Sequence, residues 1–200
     1  MQSATQTDVS SPALTQGRWT IDANHSAITF AIRHLGLSKV RGRFRVFDVS
    51  LNIGPSTTDF EVVANIDLAS IDTGNPDRDV HLRSTDFFNV DQHPTMTFRS
   101  TRIEPAADGY TMTGDLTLNG ITRSVTLDVE SNGLVVVPAD GRTHFGLSAV
   151  GELRRSEFGI EFGIMPIGID RLALADKVAF ELEMQFVQPP DGSTSPPPRP

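Results

Sequence analysis

The chain is expected to be all-β, a succession of antiparallel strands closing into an up-and-down barrel or a sandwich. Three features of the sequence point there. Apolar and polar residues alternate with a period of two over most of its length, which sends successive side chains to opposite faces of a strand. Asn-Gly and Asp-Gly pairs punctuate the alternating runs, at Asp108-Gly109, Asn119-Gly120, Asn132-Gly133 and Asp140-Gly141. Such pairs supply the positive φ angles of tight hairpins. Helix-like content is small. It is confined to a short stretch with Asn75 as cap and Pro76 in its first turn, and to a helical or irregular piece within 164–176.

The elements follow in order. Residues 1–16 are rich in Ser, Thr and Gln, and 188–200 in Pro, so both ends are expected to be disordered. One domain remains, over 17–187. Ile28, Phe30 and Ile32 alternate with Thr29, Ala31 and Arg33. Val40, Phe44 and Val46 share a face with Gly42, and the apolar phase then flips to Phe47, Val49, Leu51 and Ile53. A one-residue flip predicts a bulge or sharp bend near Val46. Later stripes carry Phe60, Val62, Ala64, Ile66 and Leu68; Met96 and Phe98; Tyr110, Met112, Leu116 and Leu118; and Val125, Leu127 and Val129. The last two carry Phe145, Leu147, Ala149 and Leu153, then Val178, Phe180, Leu182, Met184 and Phe186. An eight-stranded barrel is just wide enough to be filled by side chains or to hold one small ligand. Gly42, Gly114, Gly146 and Gly151, in or near strands, leave either bends or room inside it.

Composition removes several classes of function. The net charge of −8 and pI near 5.0 oppose general nucleic-acid binding. With no cysteine, disulfides, thiol nucleophiles and Cys-type zinc sites are excluded. The five histidines are spread singly, which is the pattern of hydrogen-bonded structural residues rather than a metal site, and no cofactor is expected. There is no G-x-S-x-G elbow and no H-E-x-x-H, so no catalytic residue is assigned. The first residues show no basic start followed by an apolar core, so the cytoplasm is the expected location. A removed leader would place the protein in the periplasm or elsewhere outside the inner membrane.

One segment departs from the alternation: GNPDRDVHLRSTDFFNVDQHP, residues 74–94. The residues around it carry a recognisable pattern. The chain resembles the YceI-like family of bacterial lipocalin-like polyisoprenoid-binding proteins. The resemblance begins at WTIDANHSAITFAIRHLGLSKVRGRF, with Trp19, Asp22, His25, Ser26, Phe30, His34, Gly42 and Phe44. It continues through SIDTGNPDRDVHLRSTDFFNVDQHPTMTFRST and GDLTLNGITRSVTLDV and ends at RRSEFGI. It covers roughly 18 to 187.

What the resemblance implies is specific. The fold would be an antiparallel up-and-down, lipocalin-like barrel of about eight strands, with one or two short helices near the barrel mouth. Its apolar tunnel would hold a long-chain isoprenoid lipid, such as a polyprenyl phosphate or isoprenoid quinone, without a defined reaction. The expected lining is Ile28, Phe30, Ile32, Phe44, Val62, Ile66, Leu82, Phe87, Phe88, Phe98, Leu116, Leu127, Phe145, Phe158, Phe180 and Met184. Residues 74–94 would close one mouth, with Leu82, Phe87 and Phe88 turned inward. Arg78, Asp79, His81 and Arg83 would face loops or solvent, and Arg78-Asp79 looks like the family's Arg-Asp pair. With His34, these residues are lid or head-group candidates. A salt-bridged, helix-capping network that pins the lid is the favoured reading; an Arg fork for phosphate is the alternative.

Two further segments stand out. Arg33, His34, Lys39, Arg41, Arg43 and Arg45 form a basic stretch, and the last four share one face of a strand. It reads as a solvated exterior paired with acids on a neighbouring strand, or as an anionic-membrane or homodimer contact. FGIEFGIMPIGI, residues 158–169, is apolar and glycine-punctuated, and reads as packing over the barrel, a gate or a partner patch. The main functional expectation is non-enzymatic binding, transport or storage of the lipid. The alternatives are an enzyme acting on an apolar isoprenoid-like substrate through Asp79, His81 or His34, and a dimerising interaction module.

Overall fold

The computed structural model describes residues 14–55, 59–168 and 171–188. In chain order the elements are β1 (Gly17–Ile21), β2 (Ala27–His34), β3 (Ser38–Phe44), β4 (Phe47–Ile53), β5 (Phe60–Asp67), β6 (Ile71–Asp72) and α1 (Pro76–Arg83). They continue with β7 (Thr95–Ala106), β8 (Gly109–Leu118), β9 (Ile121–Val137), β10 (Arg142–Arg154), β11 (Pro166–Gly168), β12 (Arg171–Leu172) and β13 (Leu174–Val187).

Three pairs of short strands are bent halves of one stave each. β1 and β2 both pair with β13, through Ile21↔Phe186 and Ile28↔Leu182. β4 lies on β1 and β3 on β2; β5 lies on β4 and β6 on β3. Counted this way, the sheet is a closed antiparallel barrel of eight staves, running from β1–β2 through β7, β8, β9 and β10 to β13 and back. The expected bend near Val46 is the break between β3 and β4. Asp67 N–H donates to Val46 O at 3.0 Å and Arg45 N–H to Ser70 O at 3.2 Å, so the bends of two neighbouring staves are stapled together.

Three of the four expected turn pairs make hairpins. Asn132-Gly133 does not. It lies inside β9, where the register against β10 slips between Gly146 and Leu147 and Asn132 is the extra residue. Gly133, at φ 95, supplies the left-handed conformation that a glycine bulge needs. The sequence signal for a positive φ was right, but a bulge satisfies it as well as a turn does. The piece expected as helical or irregular within 164–176 is not helical where described; β11 pairs there with β12 in a short antiparallel ladder of irregular register. A short 3₁₀ turn comes before it, at Arg155–Phe158.

One barrel end is sealed. Trp19, Phe186 and Phe145 are buried there, with Trp19 edge-on to Phe145 at 6.4 Å. Leu14 packs against this core, and Trp19 Nε1 donates to Thr15 O at 2.9 Å. Residues 14–16 thus lie against the barrel; residues 1–13 and 189–200 lie outside the described residues.

Candidate functional site: the barrel mouth

Burial changes along the inward face. On β13, Phe186 and Met184 are buried, whereas Leu182, Phe180 and Val178 are half-buried. On β2, Ile28 is buried, whereas Phe30 and Ile32 are half-buried. Both gradients run away from Trp19 toward the β2–β3 hairpin. That end is the mouth, where inward apolar side chains keep accessible surface. Of the expected lining, Ile28, Phe44, Val62, Ile66, Phe87, Phe98, Leu116, Leu127, Phe145, Phe158 and Met184 are buried. Phe30, Ile32, Leu82, Phe88 and Phe180 are half-buried.

The strand glycines have rings laid across them. A Cβ on Gly42 would overlap the Phe30 ring, one on Gly151 the Phe180 ring, and one on Gly114 the Phe98 ring. Phe30 and Phe180 face Gly42 and Gly151 directly across the ladder. These glycines therefore let three phenylalanines lie flat along the wall instead of projecting into the barrel. Gly146 differs, since it sits at the bulge facing Asn132.

The lid is α1 and the turn after it. Asn75 caps the helix by accepting from Arg78 N–H at 3.1 Å, and Pro76 occupies the first turn, as the sequence predicts. What pins it is not a salt bridge. Of the two expected surroundings, loop or solvent, Asp79 takes the first: it is buried, and its Oδ1 accepts from Thr73 N–H at 3.0 Å and Thr73 Oγ1 at 2.5 Å. Arg78 donates to Thr73 Oγ1 at 2.8 Å and Thr73 O at 2.9 Å. Arg83 donates to Ala69 O at 2.9 Å and Ile71 O at 3.3 Å. Three of the charged lid residues are thus committed to the backbone and hydroxyl of 69–73, with Thr73 joining Arg78 and Asp79 and the carbonyls of Ala69 and Ile71 holding Arg83. His34 stands apart, exposed at the end of β2. Beyond the helix, Phe88 meets Phe44 at 6.1 Å and Phe44 meets Phe30 at 5.7 Å, so a chain of rings runs from lid to wall.

The lid is also joined to the segment 158–169. His81 packs edge-on to Phe87 at 5.1 Å and to Phe162 at 4.9 Å, and Phe87 meets Phe162 at 5.2 Å. His81 Nε2 pairs with Asp86 at 2.9 Å. Behind this cluster stands Arg155, 3% exposed. Its guanidinium donates to Phe162 O (2.7 Å), Ala175 O (2.9 Å), Ile160 O (3.1 Å) and Leu174 O (3.2 Å). One side chain therefore fastens the loop across the mouth to the start of β13. Burial pushes the Arg155 guanidinium below the usual arginine range, against the opposing pull of Asp176. Burial also works against the Asp176 charge. The Ser156 N–H at 3.0 Å, the Ser156 hydroxyl and Arg154 outweigh it and hold this carboxyl below its ordinary value.

Sequence reasoning did not single out Arg155, Thr73 or Phe162 individually. The signal for Arg155 was present, an arginine leading directly into an apolar, glycine-punctuated run that needs polar anchoring. Thr73 carries none, since its role exists only once α1 folds back on it. His25 and His144 pair with Asp22 and Asp140, and His93 lies over Gly120, so the histidines are not gathered at one place.

The YceI-like domain family matches residues 19–186 of this chain. The chain belongs to the YceI-like family. A UPF0312 protein of Staphylococcus epidermidis is 37% identical over 170 residues, 84% of this chain and 96% of that protein. Among solved structures, the YceI protein of Campylobacter jejuni superposes with a TM-score of 0.67 at 29% identity, over 79% of this chain and 90% of that one. Burkholderia cenocepacia BcnA gives 0.70 at 23% identity, over 82% and 98%. A polyisoprenoid binding domain from Saccharophagus degradans gives 0.63 at 17% identity, over 86% and 98%. The barrel, with the one α-helix found among the described residues, thus has the YceI-like architecture.

Proposed function

We propose that this YceI-like barrel binds a long-chain isoprenoid lipid, a polyprenyl phosphate or an isoprenoid quinone, as a non-enzymatic carrier or store. The burial gradient along β2 and β13 carries the reading. Phe30, Ile32, Val178 and Phe180 face inward yet keep accessible apolar surface, and a hydrocarbon chain entering at the mouth would cover it. About a dozen buried carbons at roughly 0.8 kcal/mol each contribute on the order of 10 kcal/mol before association costs. The chain alone therefore suffices for binding, and the head group is weakly specified. The Saccharophagus degradans domain of the same fold is described as polyisoprenoid binding, which favours the same ligand class here.

Chemistry on that ligand has little support. Asp79 is turned onto Thr73, and Arg78 and Arg83 donate to the Thr73 hydroxyl and the backbone carbonyls of 69–73. The test is organic extraction of protein purified without detergent, followed by mass spectrometry of the extract. A stoichiometric polyprenyl or quinone species supports the reading; an extract holding only ordinary diacyl phospholipids refutes it.

A further inference from the structure

The basic stripe is not one thing. Arg43 and Arg45 both bond Asp72 of β6, at 3.0 and 2.7 Å, and are the pairing expected of a solvated exterior. The half nearer the hairpin tip behaves differently. Lys39 stands directly across the ladder from Arg33, and Arg41 across from Ala31. A like-charge pair at such a position is destabilising. All three cations are exposed, and among the described residues none makes an ion pair with an acid.

Apolar residues crown the same rim. Leu37, at the hairpin tip, is 70% exposed, Met165 58% and Phe162 48%. They are held side by side. Leu35 N–H donates to Ala173 O at 2.9 Å, and Ala173 N–H donates to Met165 O at 3.0 Å. Two such spacings put the Met165 backbone about 10 Å from that of the hairpin. Arg155 fixes the loop that carries Phe162. Glu161 is exposed beside Phe162, so the hairpin side of the rim carries the positive charge.

We propose that the β2–β3 hairpin and the adjoining Met165 rim dock on an anionic phospholipid bilayer. Cations flanking protruding apolar side chains are what such an interface takes: the apolar tips enter the acyl boundary while Arg33, Lys39 and Arg41 stay among the phosphates. The chain as a whole carries −8, so a local cationic cluster also turns this end toward the membrane. Docking there sets the barrel mouth against the source of its ligand. The proposal rests on the isoprenoid reading for its purpose, but not for its geometry.

The test is sedimentation of the full chain with vesicles of phosphatidylcholine, with and without phosphatidylglycerol. Wild type should partition to the mixed vesicles, less so at high salt. Arg33→Glu/Lys39→Glu/Arg41→Glu together should lower partitioning by at least about a hundredfold, and Leu37→Ser by several-fold. Arg18→Glu, an equal charge change on β1 at the sealed end, should have far less effect than Arg41→Glu. Equal binding to both vesicle types would overturn the proposal, as would equal effects of Arg18→Glu and Arg41→Glu. Self-association without vesicles, abolished by the triple change, would assign the rim to a second copy of the chain instead. Circular dichroism checks that each variant is folded. Sedimentation does not read barrel contents, so a failure here is distinct from an extract lacking isoprenoid.

Discussion

Replacing Arg155 by Met keeps most of the side-chain volume and removes every donor. Four carbonyls then lose their partner, those of Ala175, Ile160, Phe162 and Leu174. The bond to Ile160 O is fully buried, so that oxygen is left orphaned at a cost of about 1–3 kcal/mol. The other three are part-buried, and water replaces the guanidinium there at about 0.5–1.5 kcal/mol each. Relief from burying a cation that touches no carboxylate directly offsets part of this sum. The net expectation is a loss of about 3 kcal/mol, a large share of a typical domain's stability. Urea unfolding gives the magnitude. Hydrogen exchange gives the place: amides of 159–165 and 173–175 should lose protection. Trp19, the sole tryptophan, sits at the sealed end, and its emission in buffer should be unchanged. A loss below about 1 kcal/mol, or a Trp19 shift without denaturant, would refute the idea that Arg155 is a local fastener of the mouth.

Other expectations follow from the same contacts. Gly42→Ala should destabilise by about 1–3 kcal/mol, because its methyl would displace the Phe30 ring and crowd Thr73; thermal melts should show a smaller loss from the same change made in a Phe30→Ala background. Asp79→Ala should cost about 1–3 kcal/mol by orphaning the Thr73 N–H, with exchange rising first in α1. Asp176 and Asp22 both sit below the ordinary carboxylate value of 3.8 in the folded chain. Their stabilisation is complete above about pH 4 and drains away as pH falls through the lower folded values. Unfolding measured from pH 6 to 2 should show that slope, shallower in Asp176→Asn.

The barrel was legible because strand chemistry is local. Alternation gave the faces, and Asp108-Gly109, Asn119-Gly120 and Asp140-Gly141 gave the hairpins. The phase flip at Val46 gave the bend because a stave must keep its apolar side inward on both sides of it. Asn132-Gly133 misled, since a positive φ serves a bulge as readily as a turn. At the mouth, Asn75 and Pro76 announced α1, but the partners of its charges did not show. Arg78, Asp79 and Arg83 look like solvated or ion-paired groups in the sequence, and only tertiary folding turns them onto Thr73 and the carbonyls of Ala69 and Ile71. The basic stretch was visible too, but its division at Asp72 depends on β6 pairing with β3, a contact between distant parts of the chain.

Native mass spectrometry of the delipidated, refilled chain bears most directly on the binding reading. Mixed with a long-chain polyprenol, the folded protein should carry one adduct per barrel, and Ile32→Trp, which sets a ring on the half-buried inward face of β2, should weaken it at least tenfold. A wild-type chain that takes up no polyprenol, or an adduct indifferent to Ile32→Trp, would contradict the account.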